Sequence, residues 1–148
     1  MSVSIPRDTR LFIITKTANQ QLDDDDTLQN DTHLKMYVEA NGVREGFCSV
    51  IYTGNATADM KVQWAVPASA SMRWLIDLDG SLANDETSIY VLSANPALKS
   101  IFKMPFIFQN GATAGYLQLT WAQNVKTSAP TEKLTMYANS YILAHKVA

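Results

Sequence analysis

"GATAGYLQLTWAQN", residues 111–124, decides the fold. It opens on small, turn-forming residues and then alternates. Leu117, Leu119 and Trp121 fall on one parity, and Tyr116, Gln118 and Thr120 on the other. A period of two makes this a strand with one oily face and one polar face. The polar face is uncharged, whereas a freely solvated sheet face carries more Lys and Glu, which also guard against edge association.

The same grammar extends outward in both directions. "HLKMYVEA" (33–40) sets Leu34, Met36 and Val38 against Lys35, Tyr37 and Glu39. Asn41-Gly42 then predicts a hairpin into the return strand "VREGFCSVIYT" (43–53). "ADMKVQWAV" (58–66) turns Met60, Val62, Trp64 and Val66 inward. Further strands are read at 10–17, 71–78, 87–93, 101–109 and 139–147, with a loop over the acidic stretch "NQQLDDDDTLQND". Pro105 cannot donate to a ladder, which places its strand at an edge or a bulge. A single helical turn is expected at 95–100 or 81–86. Short strands at this regular spacing predict an all-β, single-domain antiparallel sandwich, jelly-roll-like, of about eight to ten strands.

The chain has 148 residues, 47% of them hydrophobic, which fits one globular domain with an ordinary core. Its net charge of −2 is spread along the chain and gives no electrostatic footprint for nucleic acid. No apolar run approaches the ~20 residues of a membrane-spanning helix, and the N-terminus lacks the pattern of a secretory signal. Synthesis in a cytoplasm is the expectation. The single Cys48 lies in the apolar run "GFCSVIY" and is expected to be a buried, inert thiol.

Little in the sequence points to catalysis. Asp23 to Asp26 invite a divalent cation, but consecutive acids in extended chain point in alternating directions, so a solvated loop is the better reading. In "DLDGSLANDE" Gly80 stands fourth from Asp77 rather than sixth, so the calcium-loop spacing fails. His33 and His145 lie at strand positions with no metal-ligand spacing between them. No nucleophile elbow, phosphate loop or dinucleotide fingerprint is present. No enzyme, cofactor or metal is expected. Trp74, beside Arg73, together with exposed tyrosines, leaves a carbohydrate-binding module as a lesser alternative.

The polar faces are more informative. Gln63, Tyr90, Tyr116, Gln118, Thr120, Thr135, Tyr137 and Ser140 are read as outward and uncharged. Charge depletion with tyrosine retained is the composition of protein–protein contacts. At least one sheet is therefore expected to pack against identical subunits.

Three segments carry a family resemblance. They are "DTHLKMYVEANGVREGFCSVIYTGNATADMKVQWAVP", "NGATAGYLQLTWAQN" and "LTMYANSYILAHKV", together covering most of residues 27 to 147. The chain resembles, through Asp31, Leu34, Val38, Ala40 and Asn41, then Ala58, Asp59, Lys61, Trp64 and Pro67, a domain recurring in tailed-bacteriophage virion proteins. The closing pair adds Ala114, Gly115, Leu117, Leu119, Trp121 to Asn124, Ala138, Ser140 and Ala144. The resemblance implies a jelly-roll module of the kind used in capsid decoration (cement) proteins and in some tail or fibre proteins. It brings an architectural role and no catalytic residues.

The expected function is thus a virion structural protein: a homotrimeric decoration protein on the capsid surface, bridging subunits of the major capsid protein. A tail-fibre or receptor-binding tip is the alternative. Residues 1–9 are expected to form an extended arm before a sandwich of residues 10–148. The expected contact residues are Ile5, Pro6, Arg7 and Arg10 in and beside the arm, and Tyr116, Gln118, Thr120, Gln123 and Asn124 on the opening strand.

Overall fold

The computed structural model describes residues 10–75, 84–126 and 133–148. Twelve strands lie among them. The first six are β1 (Leu11–Thr15), β2 (Gln20–Asp23), β3 (Gln29–Val38), β4 (Val43–Thr53), β5 (Met60–Ala65) and β6 (Ser71–Trp74). The rest are β7 (Asn84–Asp85), β8 (Tyr90–Leu92), β9 (Ser100–Gln109), β10 (Gly115–Gln123), β11 (Lys133–Met136) and β12 (Tyr141–Lys146).

The pairing is nested. β1 pairs with β12, β3 with β10, β4 with β9 and β5 with β8, all antiparallel. This is one long hairpin of strands, outermost with outermost. Rolling it up adds the ladders β12–β4 and β10–β5, which close it into two facing sheets. The larger sheet runs β1-β12-β4-β9 and continues into β6-β7, while the smaller runs β3-β10-β5-β8. That winding is a jelly roll, and the protein is an all-β sandwich. The β6–β7 ladder and the β2–β11 ladder are additions to it.

Nine of the twelve strands answer to the alternating runs, and the three additional ones are short. β2 and β11 hold each other in a polar stretch where periodicity gives no signal. Residues 96–98 form a bend rather than a helical turn, because the Asn95 carboxamide oxygen accepts from the backbone N–H groups of Ala97 and Leu98. The other candidate turn falls partly outside the described residues.

The expected hairpin at Asn41-Gly42 is corrected. The turn is real, with Asn41 at φ 59° and Gly42 N–H donating to Glu39 C=O at 3.1 Å. Its two arms nevertheless lie in different sheets, so it is an arch across the sandwich. The arch between β9 and β10 lies beside it. Asn41 N–H donates to Gly111 C=O and Asn110 N–H to Gly42 C=O, both at 2.8 Å. Buried Asn110 also donates its amide to the carbonyls of Val38 and Glu39, each at 3.0 Å. An Asn-Gly pair sets the turn but does not say whether its arms share a sheet or face each other.

The core fills the space between the sheets. Leu117, Leu119 and Trp121 of β10 point into it beside Met60, Val62 and Trp64 of β5, and Cys48, Met104, Phe106 and Ile142 meet them from the larger sheet. Each fully buried aliphatic side chain contributes about 1.5–3 kcal/mol relative to exposure. Cys48 is buried as expected, and desolvation pushes its thiol well above the ordinary range. Pro105 lies inside a two-sided strand, but its missing donor faces the side where β6 ends. Phe106 pairs with Trp74, and beyond it Leu75 N–H reaches back to Pro105 C=O at 2.9 Å.

Candidate functional site

Three regions bear on function: the opening strand's outer face, the buried network behind it, and the outer face of the larger sheet.

On β10 the predicted contact residues separate. Tyr116 is 51% exposed and packs edge-on to Tyr37 at 5.5 Å between ring centroids, with Lys35 Nζ 5.2 Å from its ring centre. Tyr116 and Tyr37 thus form an aromatic patch on the surface. Gln118 instead bonds within the chain, donating to Asp31 C=O at 2.8 Å. Thr120 is buried and donates its hydroxyl to Gln63 C=O at 2.7 Å. Gln123 is also buried; its carboxamide oxygen accepts from Asp25 N–H at 2.8 Å, and its own N–H donates to Asp25 C=O at 3.0 Å. Asn124 is half-buried and its N–H donates to Ala58 C=O at 3.0 Å. Ser140, read as outward, is buried, with its hydroxyl donating to Tyr137 C=O and accepting from Ile51 N–H. Arg10 is exposed and borders a cleft with Phe12, Glu39, Arg44 and Lys146. Ile5, Pro6 and Arg7 lie outside the described residues.

Gln118 bonds inward because β3 is bulged beside it. Opposite the single Leu119, β3 carries four residues, Asp31 to Leu34, because the register runs from Gln118↔Lys35 to Thr120↔Asn30. This bulge turns the Asp31 carboxylate into the protein. One oxygen accepts the backbone N–H groups of His33 and Leu34 at 2.9 and 2.8 Å. The other accepts Lys16 Nζ at 2.8 Å and Trp121 Nε1 at 3.0 Å. Asp31 and Lys16 are both 0% exposed. Lys16 reaches the pair from the end of β1, where its backbone bonds Ser140 C=O and Asn139 N–H, and its ammonium also donates to Gln20 Oε1 at 3.0 Å. A buried ion pair survives only when its remaining lone pairs and protons are satisfied, as here. Lys16 carried no signal in the sequence; Asp31 stood only as a motif position.

The chemical alternatives fare differently. Trp74 is corrected from a candidate sugar platform to core: it is 1% exposed and its Nε1 donates to Asp85 C=O at 2.8 Å. The acid run makes local bonds, Asp25 accepting from Thr27 N–H at 2.8 Å and Gln29 Nε2 at 3.1 Å. Among the described residues no group of three His, Cys, Asp or Glu is placed to hold a metal ion. His33 Nδ1 lies 2.9 Å from Thr32 Oγ1, and His145 Nε2 lies 3.7 Å from Glu45, both on sheet strands.

The third region was not anticipated. On the larger sheet's outer face, Ile13, Leu143, Phe47 and Pro105 stand side by side across four strands in direct register. Leu11 and Ile107 extend the patch along the strands, and Ile13, Leu11 and Ile107 are 57%, 57% and 53% exposed. Tyr141 packs edge-on to Phe47 at 5.8 Å.

No family model matches the chain, and no curated protein does. Two solved structures overlap it loosely. One is the structure of infectious bursal disease virus, Gx strain, at 8% identity and TM-score 0.29, covering 99% of this chain and 45% of that one. The other is a mutant VP2 protein of infectious bursal disease virus in derived T=1 particles, at 9% identity and TM-score 0.29, covering 95% and 39%. The chain thus spans less than half the length of either. Overlap this loose assigns no function, and the jelly roll described above rests on strand pairing alone.

Proposed function

We propose that the chain is a virion structural protein of a tailed bacteriophage, a homotrimeric decoration protein seated on the capsid surface. The supporting observation is how the resemblance motifs converge. Asp31 and Trp121 meet in one buried network, Leu34 is fixed by the same carboxylate, and Trp64 and Leu119 pack beside them in the core. Residues that looked like separate motifs meet within the smaller sheet around one carboxylate, which Lys16 ties to the larger sheet, so the resemblance follows the architecture of the domain.

The role is mechanical. Three sandwiches associate around a three-fold axis, and the base of the trimer bridges neighbouring subunits of the major capsid protein. Each bridge adds an interface that must break before the shell opens under internal pressure. Residues 1–9 contribute Ile5, Pro6 and Arg7 to that contact.

Particles stripped of the chain provide the test. Re-adding the full chain is expected to raise the temperature at which they release DNA, and re-adding residues 10–148 is expected to bind more weakly. A full chain that neither binds nor protects stripped particles contradicts the proposal.

A further inference from the structure

The chain contains two Asn-Gly pairs, Asn41-Gly42 and Asn110-Gly111, and they sit at the turns of the two adjacent arches. Asn-Gly is a reactive pair. The backbone nitrogen that follows an asparagine can attack that asparagine's own Cγ, and glycine leaves the nitrogen without a Cβ beside it. A bond from that nitrogen to Cγ forms, the Cγ–Nδ2 bond breaks, and ammonia leaves with the former backbone proton. Water then opens the five-membered succinimide at either carbonyl, giving aspartate or its β-linked isomer. On sequence alone both pairs share this chemistry.

The structure separates them. Asn110 is 3% exposed, its Nδ2 donates to the carbonyls of Val38 and Glu39 at 3.0 Å each, and its Oδ1 accepts from Gly111 N–H at 3.0 Å. That last bond aims the Gly111 proton at the carboxamide oxygen, near the carboxamide plane, whereas attack on Cγ comes from above that plane. Reaction at Asn110 therefore requires these bonds to open in a buried site. Asn41 is the opposite case. It is exposed, its carboxamide has no hydrogen-bond partner among the described residues, and the Gly42 nitrogen is held by one bond, to Glu39 C=O at 3.1 Å.

We propose that Asn41 is a site of spontaneous deamidation, that Asn110 is protected from it, and that the β-linked product at Asn41 unfastens the two arches. The last step follows from how the arches are joined. Asn41 N–H donates to Gly111 C=O and Asn110 N–H to Gly42 C=O, both at 2.8 Å. A β-linkage adds one backbone atom between the Asn41 nitrogen and the Gly42 carbonyl. Two bonds anchored on the other arch cannot both keep their geometry across the longer segment. Each arch runs from one sheet to the other, so the altered chain is loosened between its sheets. Either product also adds one negative charge to the chain's −2.

Ageing the full chain in mildly alkaline buffer and mapping its peptides by mass spectrometry tests this. Peptides carrying Asn41 are expected to gain one dalton and split into two species of equal mass. They should do so at least ~10-fold faster than peptides carrying Asn110, since opening several buried bonds costs more than opening one. In urea, where both turns are lost, the two rates are expected to converge. The aged chain is expected to melt below the fresh one. Asn41→Gly, which suits the φ of 59° and carries no amide, is expected to keep its own melting temperature on ageing. A folded chain in which Asn110 converts as fast as Asn41, or in which Asn41 stays intact, would overturn the assignment. An aged chain rich in the β-linked isomer that melts like the fresh one would overturn the unfastening of the arches.

Discussion

Asp31→Ala is expected to destabilise the protein by about 3–5 kcal/mol, the cost of breaking a buried ion pair by removing one partner. The size follows from what is stranded. Lys16 Nζ loses its anion while fully buried and keeps Gln20 Oε1. Trp121 Nε1 loses its acceptor, as do the N–H groups of His33 and Leu34. Total stabilities of about 5–15 kcal/mol make this a large fraction of the whole. The melting temperature should fall by about 10–20 °C. Adding Lys16→Met should recover part of the loss, because the unpaired ammonium then disappears, and the double-mutant cycle in urea isolates the pair. Asp31→Asn, which keeps an acceptor for the two backbone donors, should be milder than Asp31→Ala. A loss below ~1 kcal/mol for Asp31→Ala would mean that the network does not join the two sheets as described.

Gly46→Ala is the second large effect, and its cause is steric. Gly46 of β4 pairs with Ala144 of β12. A Cβ at Gly46 would lie 2.0 Å from Leu143 C=O and 2.6 Å from Ala144 Cα, both backbone atoms. No side-chain rotation relieves that contact, so the β4–β12 ladder must separate locally. Overpacking typically costs about 1–3 kcal/mol, and a backbone obstruction places this change at or above the top of that range. Gly42→Ala is the comparison. Its nearest contacts are two side-chain atoms, Glu39 Cδ and Val38 Cγ1, each at 2.9 Å, with the nearest backbone atom, Glu39 C=O, at 3.1 Å, so the loss there should be smaller. Thermal melts of the two variants decide it: equal melting temperatures would contradict the close approach of β4 and β12.

The alternation of single strands was legible because each strand has one face in the core. Leu117, Leu119, Trp121 and Trp64 all point where their parity places them. Parity does not report which sheet a strand joins, and so the turn at Asn41-Gly42 reads as a hairpin although it is an arch. Nor does it reveal the β3 bulge, which turns Asp31 inward and lets Gln118 bond across to its carbonyl. Polar residues taken as outward, Thr120 and Ser140, are buried with backbone carbonyls to accept from them, Gln63 on the neighbouring strand and Tyr137 three residues back. The outer apolar face did leave a trace. "LFII", "MPFIF" and "YILA" are runs without alternation, as strands with apolar side chains on both faces give. Lys16 left none, since a lone lysine at a strand end reads as solvated.

The copy number of this chain relative to the major capsid protein, measured by quantitative mass spectrometry on purified particles, tests the virion proposal most directly. A decoration role predicts a ratio equal to the coat count or a symmetric fraction of it. A few copies per particle would contradict that role and place the chain in the tail.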